Sequence, residues 1–404
     1  MLNLDHASHT VVDEAVLAEF CRVEREYTGN AMSKHKLGQA ARDELSRAVQ
    51  GITQLLFADF MHSEPQILRA HKDSYPEIIF TSGASEANNL AIKGLTRAYA
   101  HTGKHILSTC LEHPSVSGTL AHLAESDYKI ELLKILPNGK IDLAHLKNAI
   151  RPDTVLLCVS AVDSELGAIQ PLEDIAEIVS QHPNCHLHID AAQAIGKIAV
   201  PTESLAKSGN FSTLCFSPHK FHGLCGFGVL IKRKGVVLEP LIHGGSGVFD
   251  EKSEKNEKGG AAYGGGIYRS GTPSPALSAA CFLALQKALT NQSENLKTVK
   301  ALRDYVLKNL PPTAKINSPS DGSPYILNLS INGIRGTTFQ SALNDHGIAV
   351  SVKSACSTDN APSRPVFAVS GDKKNALNSW RVSFSNQTTI HELDAFLSAV
   401  HAII

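Results

Sequence analysis

Apolar positions over 39–56 fall at helical spacing, with Leu45, Ala48, Val49, Ile52, Leu55 and Leu56 on one predicted face. Beyond this helix the pattern changes to short, nearly unbroken apolar runs separated by amphipathic stretches. The runs predict strands over 77–81, 105–109, 154–160, 186–190, 211–217 and 227–232, and the stretches predict helices over 86–100, 115–124 and 171–181. Strands without a polar face are covered on both sides, so their alternation with helices predicts an α/β unit around a mostly parallel sheet. From about residue 275 the pattern is mixed, with helices over 275–291, 296–309 and 390–403 and strand-like pieces over 325–330, 348–352 and 379–384. That order predicts a smaller α+β domain. The expected division is a large domain over 20–270 and a small one formed by 1–19 with 271–404. Within 246–268 the stretch DEKSEKNEK runs into GGAAYGGG. Neither piece can bury a core, which predicts a mobile surface loop.

Composition narrows the function classes. The 404 residues suffice for two domains, and 43% apolar with 19% charged residues is ordinary for a globular protein. Lys+Arg of 38 against Asp+Glu of 39 leaves no field to attract nucleic acid or an anionic membrane, and no apolar run approaches the ~20 residues of a membrane span. The start MLNLDHASHT has no basic patch or apolar core, so no secretory signal is expected. Eight cysteines without a CxxC pair predict reduced thiols in a cytoplasmic setting rather than a disulfide framework.

Four segments carry candidate chemistry. In FTSGASEANN, 80–89, a strand ends in a small-residue turn before a helix. Helix N-terminal N–H groups bind phosphate and Ser85 adds a hydroxyl, although the same residues would serve as a simple turn with Ser85 as cap. In HLHIDAAQAIGK, 186–197, alternation puts His186, His188 and Asp190 on one strand face, with Asp190 at the carboxyl end. A carboxylate there suits a protonated pyridine nitrogen, with helix capping as its rival role. A metal site from His182, Cys185, His186 and His188 has suitable ligand types but matches no common zinc spacing. In CFSPHKFHGLCGFGVLIKR, 215–233, Lys220 follows a strand in a tight turn bearing Pro218, His219 and Gly223. Burial would lower its pKa and make the amine a nucleophile. In VSVKSACSTDNAPSRP, 350–365, Cys356 opens a stretch of turn-forming residues, a setting for an exposed, reactive thiol with Lys353 and Arg364 near in sequence. The other seven cysteines mostly occupy apolar strands or helices and are expected to be structural.

Taken in order, these segments resemble the cysteine desulfurases of the NifS-like group, class V of the fold-type I pyridoxal-phosphate transferases. The likeness spans nearly the whole chain, from LDHASHTVV and GNAMSKHKLGQAAR through EHPSV, LGAIQPL, RSGTPSP and SACS to WRVSF. The resemblance implies an enzyme that removes sulfur from L-cysteine, giving L-alanine and a persulfide on Cys356 for an acceptor protein. It implies pyridoxal 5'-phosphate held by Lys220, with Asp190 at the pyridine nitrogen, Gln193 at the ring hydroxyl and His113 stacked on the ring and moving protons. It places Ala84, Ser85, Ser217 and His219 around the phosphate, Arg381 on the substrate carboxylate and Asn30 on the substrate side. Thr272 matches a residue that reaches the phosphate of the other subunit, which implies a homodimer. The 25 positions from Cys356 to Arg381 resemble the long catalytic loop of group I enzymes.

Two departures stand out. VDSELGAIQ puts Asp163 and Ser164 where the family has an asparagine pair, with Ser164 in the cofactor-contacting place, and 246–268 interrupts a usually short link. A selenocysteine lyase or aminotransferase of the same fold is the nearest alternative. A low-turnover sulfur carrier is the alternative from another class.

Overall fold

The computed structural model describes residues 1–61, 76–244, 262–263, 265–353 and 361–404. The strands are β1 Leu2–Asn3, β2 Pro76–Thr81, β3 His105–Ser108, β4 Lys129–Leu132, β5 Thr154–Ser160, β6 His186–Asp190, β7 Thr213–Phe216, β8 Gly228–Arg233, β9 Ala262–Tyr263, β10 Ala314–Ile316, β11 Ile326–Ile331, β12 Ile348–Ala349 and β13 Ser379–Ser383. Eight of them form one sheet in the order β4-β3-β5-β6-β7-β8-β2-β9. Only β8 runs against its neighbours, so the carboxyl ends of β2, β5, β6 and β7 lie along one edge.

Period-two alternation builds this sheet's two faces. Ile78, Phe80, Leu107, Leu157, Val159, Leu214, Phe216, Val229 and Ile231 enter the larger core, which also holds Leu45, Val49 and Ile52 of the helix Lys36–Met61. The residues between them, Ile79, Ile106, Leu156, Cys158, Cys215 and Leu230, pack under the helices Ala84–Ala98 and Pro114–Ala124. Both faces are therefore covered, as the apolar runs required.

The second sheet is antiparallel, β10-β11-β13, and Trp380 on β13 is fully buried against Phe339 and Phe396. The amino-terminal residues tie the parts together. β1 pairs with β12, and Asp5 bridges to Ser383 at the end of β13. Ala7 and Ser8 then run toward the carboxyl edge of the large sheet, where they meet Lys220.

The structure adds elements that the pattern did not announce. The helix Glu14–Glu26 packs on the helix Pro275–Thr290, which also lies along Lys36–Met61. β4 is an edge strand with no buried residue, so it shows no apolar run. Of the loop expected over 246–268, residues through 261 and residue 264 lie outside the described residues. The remainder is not loop: Ala262–Tyr263 adds to the sheet beside β2, and Gly265–Tyr268 is a short helix. Cys356 also lies outside the described residues.

Candidate active site

A cavity of about 400 Å³ opens at the carboxyl edge of the large sheet. Four strand ends converge on it. β2 delivers Ser82–Ser85, β5 delivers Ser160, β6 delivers Asp190 and Gln193, and the turn Pro218–Lys220 after β7 delivers His219 and Lys220. Arg381 enters from β13 of the small sheet, and Ala7 and Ser8 from the amino-terminal segment.

Lys220 is largely buried, and its Nζ donates to the carbonyls of Ala7 and Ser8, both at 2.8 Å. Burial and then the Arg381 charge lower its pKa to about 8, against weaker opposing pulls from Asp5 and Asp190. Such an amine is neutral in roughly a tenth to a fifth of molecules near physiological pH, against well under a hundredth for an ordinary lysine. Asp190, 6% exposed, accepts from Asn88 Nδ2 at 2.8 Å and from the Ala192 N–H at 3.0 Å. His113 caps the helix Pro114–Ala124, its Nδ1 accepting from the Ser115 N–H at 3.1 Å. Burial lowers its pKa; Asp190 opposes this, and Lys220 and Arg381 reinforce it.

Arg381 is 2% exposed, and its Nη2 binds Asp5 at 2.6 Å and Ser8 Oγ at 2.9 Å while Nη1 donates to the Ser164 carbonyl at 2.7 Å. Its Nε is buried without a protein partner. Gln193 has its amide fixed between the Ala7 carbonyl and Lys197 Nζ, both at 2.8 Å. Lys197 is fully buried, and burial pushes its pKa well down. Ser217 does not line the cavity; its hydroxyl donates to the Phe227 carbonyl at 2.6 Å and meets His219 Nδ1 at 2.7 Å, which orients that ring.

Residues 2–396 match the class-V aminotransferase family. A NifS/IcsS protein homolog of Lactobacillus delbrueckii subsp. bulgaricus is 32% identical, over 100% of this chain and 97% of its own. Cysteine desulfurase IscS of Dictyoglomus turgidum is 30% identical, over 99% and 94%. The solved structure of a NifS-like protein superposes with a TM-score of 0.83 at 30% identity, covering 100% of this chain and 98% of its own. The chain belongs to the class-V aminotransferase family. Its fold is that of the fold-type I pyridoxal-phosphate transferases.

Class-V aminotransferases depend on pyridoxal phosphate, and the cavity fits that group. Its volume lies within the roughly 300–1,000 Å³ of small-molecule sites. The helix Ala84–Ala98 opens at Gly83 with no side-chain cap, leaving N–H groups at the cavity wall for an anion. A carboxylate, an amine of lowered pKa and an imidazole complete the donor set.

Besides Ser217, two expected contacts are not among the cavity walls. Asn30 is exposed and its Oδ1 caps the Met32 N–H at 2.9 Å. Thr272 is exposed outside the cavity of its own chain. Among the described residues no three potential ligands gather around a metal position. His186 and His188 instead bond Ser212, Thr213 and Asn88. Conversely, Cys225, expected to be structural, is exposed and lines the cavity beside Gly226.

A second cavity of about 290 Å³ shares His113 and Ser164 with the first. Lys353 and Ala361 lie on its wall, so the chain leaves and re-enters the described structure there, on either side of Cys356. Asp163, beside Ser164, is fully buried. Its Oδ2 accepts from the Glu165 N–H at 3.1 Å and from the Leu166 N–H, but Oδ1 has no partner. Burial and then the Glu165 charge raise its pKa to about 7. The folded protein thus keeps a proton that the unfolded chain releases above its ordinary pKa near 3.8. Stability from this group is complete below that value and is lost as pH rises toward about 7. Asp163→Asn is expected to raise the urea midpoint at pH 8 relative to pH 5, by on the order of 1–3 kcal/mol of stability. An unchanged pH dependence would count against this assignment.

Proposed function

We infer that the protein is a pyridoxal-phosphate-dependent cysteine desulfurase, and we propose that Lys220, His113 and Cys356 perform its chemistry. The observation that carries the site assignment is the amine of Lys220, held at a pKa of about 8 in the same cavity as Asp190, His113 and Arg381. Pyridoxal phosphate, when bound, supplies an aldehyde for the substrate amine and a ring that takes up the electron pair released at the substrate Cα.

The chain's own residues do the rest. Ala84, Ser85 and His219 hold the phosphate, with Ser217 fixing His219. Asp190 faces the pyridine nitrogen and Gln193 the ring hydroxyl. Arg381 grips the substrate carboxylate as a planar fork, with Ser164 on the wall beside it. Lys220 Nζ is the base for the Cα proton, with His113 at the leaving sulfur. The Cys356 thiolate attacks that sulfur. The net change joins L-cysteine and the Cys356 thiol into L-alanine and a Cys356 persulfide, balanced without an outside oxidant. The persulfide passes to an acceptor protein.

The two-domain division at 20–270, the homodimer with Thr272 reaching the neighbouring phosphate, and the cytoplasmic location belong to the same proposal. No helix among the described residues is long and apolar enough to cross a membrane. The test is direct. Purified protein given L-cysteine should release alanine in step with sulfane sulfur on the enzyme. Amino transfer to a 2-oxo acid, or turnover confined to selenocysteine, would overturn the assignment.

A further inference from the structure

Asn88 lies inside the helix Ala84–Ala98 and is completely buried. None of the roles above uses it, yet its side chain makes four hydrogen bonds, the full capacity of an amide. Nδ2 donates to Asp190 Oδ2 and to Ser115 Oγ, both at 2.8 Å. Oδ1 accepts from His188 Nε2 at 2.8 Å and from Cys215 Sγ at 2.9 Å.

One constraint sets the direction of every bond in this cluster. A carboxylate accepts, so the amide turns Nδ2 to Asp190 and its oxygen to His188. His188 therefore carries its proton on Nε2, and its Nδ1 takes the Thr213 hydroxyl proton at 2.9 Å. Ser115 Oγ, already accepting from Asn88, has its own hydrogen left for His113 Nδ1 at 2.8 Å. That nitrogen also receives the Ser115 N–H. With both donors on Nδ1, the proton of the neutral ring resides on Nε2.

We propose that Asn88 is a positioning residue that joins Asp190 and His113 into one hydrogen-bonded unit, holding the carboxylate at its strand end and, through Ser115, keeping His113 a neutral Nε2–H imidazole. The inference rests on the roles assigned above to Asp190 and His113. Its physical basis is that a donor to Nδ1 stabilises the neutral ring, since an imidazolium would present a second N–H to it. The charged groups acting on His113 are Asp190, which favours the cation, and Lys220 and Arg381, which oppose it together with burial. Asn88 adds to the opposing side without carrying charge.

The two test variants separate the parts. Asn88→Asp keeps the shape but sets a carboxyl against Asp190, and the buried pair shares one proton, donated within the pair. The Ser115 hydroxyl then turns to the residue 88 oxygen, and His113 loses a donor with no net charge added. Ser115→Ala removes the hydroxyl, taking a donor from His113 and an acceptor from Asn88 Nδ2, and leaves Asn88 on Asp190. The measurement is ¹⁵N NMR of the histidine-labelled holoenzyme titrated with acid, with His113 assigned through His113→Gln. The expected native spectrum shows His113 as the Nε2–H tautomer. Its protonation midpoint should rise by a similar amount, about half a unit or more, in N88D and in S115A. The double variant should shift less than the sum, because the two share one path.

A native Nδ1–H tautomer, or an unmoved midpoint in folded N88D, would overturn the proposal. If N88D does not fold, S115A decides the link by the same midpoint. The titration needs no turnover. A native enzyme that fails to make alanine would sink the functional assignment while leaving this network to be judged on its own.

Discussion

Lys220→Ala is expected to lower kcat/KM for alanine release from cysteine by at least about 10³-fold, the scale of losing a positioned nucleophile and base together. The expectation follows from how this amine is prepared. Two backbone carbonyls hold Nζ at 2.8 Å, and burial with the Arg381 charge brings its pKa to about 8. Raising pH through that value frees the lone pair, so loading of the apoenzyme with pyridoxal phosphate should quicken up to about pH 8 and then level off. The nearest substitute is poorly placed. Lys197 Nζ is committed to Gln193, at 2.8 Å, and is enclosed by the core. Borohydride treatment followed by peptide mass analysis should find the cofactor fixed to residue 220 in the native protein and to no lysine in the variant. Native rates from Lys220→Ala would remove the basis for the whole site.

Cys356→Ser is expected to leave cofactor content intact while abolishing persulfide formation, again by at least about 10³-fold. A serine hydroxyl stays un-ionised where a thiol can lose its proton, so the substrate sulfur meets no competent nucleophile. Mass analysis of the peptide spanning 354–360 should show the mass of one added sulfur in the native protein after cysteine is supplied, and none in the variant. Lys353 and Ala361 flank the adjoining cavity that shares His113 and Ser164 with the main one.

The large sheet was readable because burial on both faces leaves unbroken apolar runs, and β5 and β6 begin and end at the residues expected. Asp190 and Lys220 were readable because each follows such a run directly, which places it at the strand end where ligands gather. β4 was not, because an edge strand without buried residues lacks the pattern. The helix Glu14–Glu26 was missed because only Val16 and Val23 are buried in it, too few to mark a periodic face. Asn88 reads in sequence as an ordinary polar helix position. Its importance comes from partners 27 and 102 residues away, Ser115 and Asp190. Cys225 reads as a structural thiol because the neighbouring strand is apolar, whereas the turn carries it outward. Ala7 and Ser8 act through their carbonyls, a contribution that side-chain motifs cannot reveal.

The amino-terminal segment has a practical corollary. Residues 2–3 add a strand to Ile348–Ala349, Asp5 pairs with Arg381, and Ala7 and Ser8 grip Lys220. Residues 2–8 work as a cord stitched between the small sheet and the catalytic amine. Proteolytic trimming at the front of the polypeptide would therefore loosen the active centre directly, although the cut falls in a stretch with almost no secondary structure of its own. For purification, a handle attached at the far end, after the helix Ile390–Ile403, leaves that cord undisturbed.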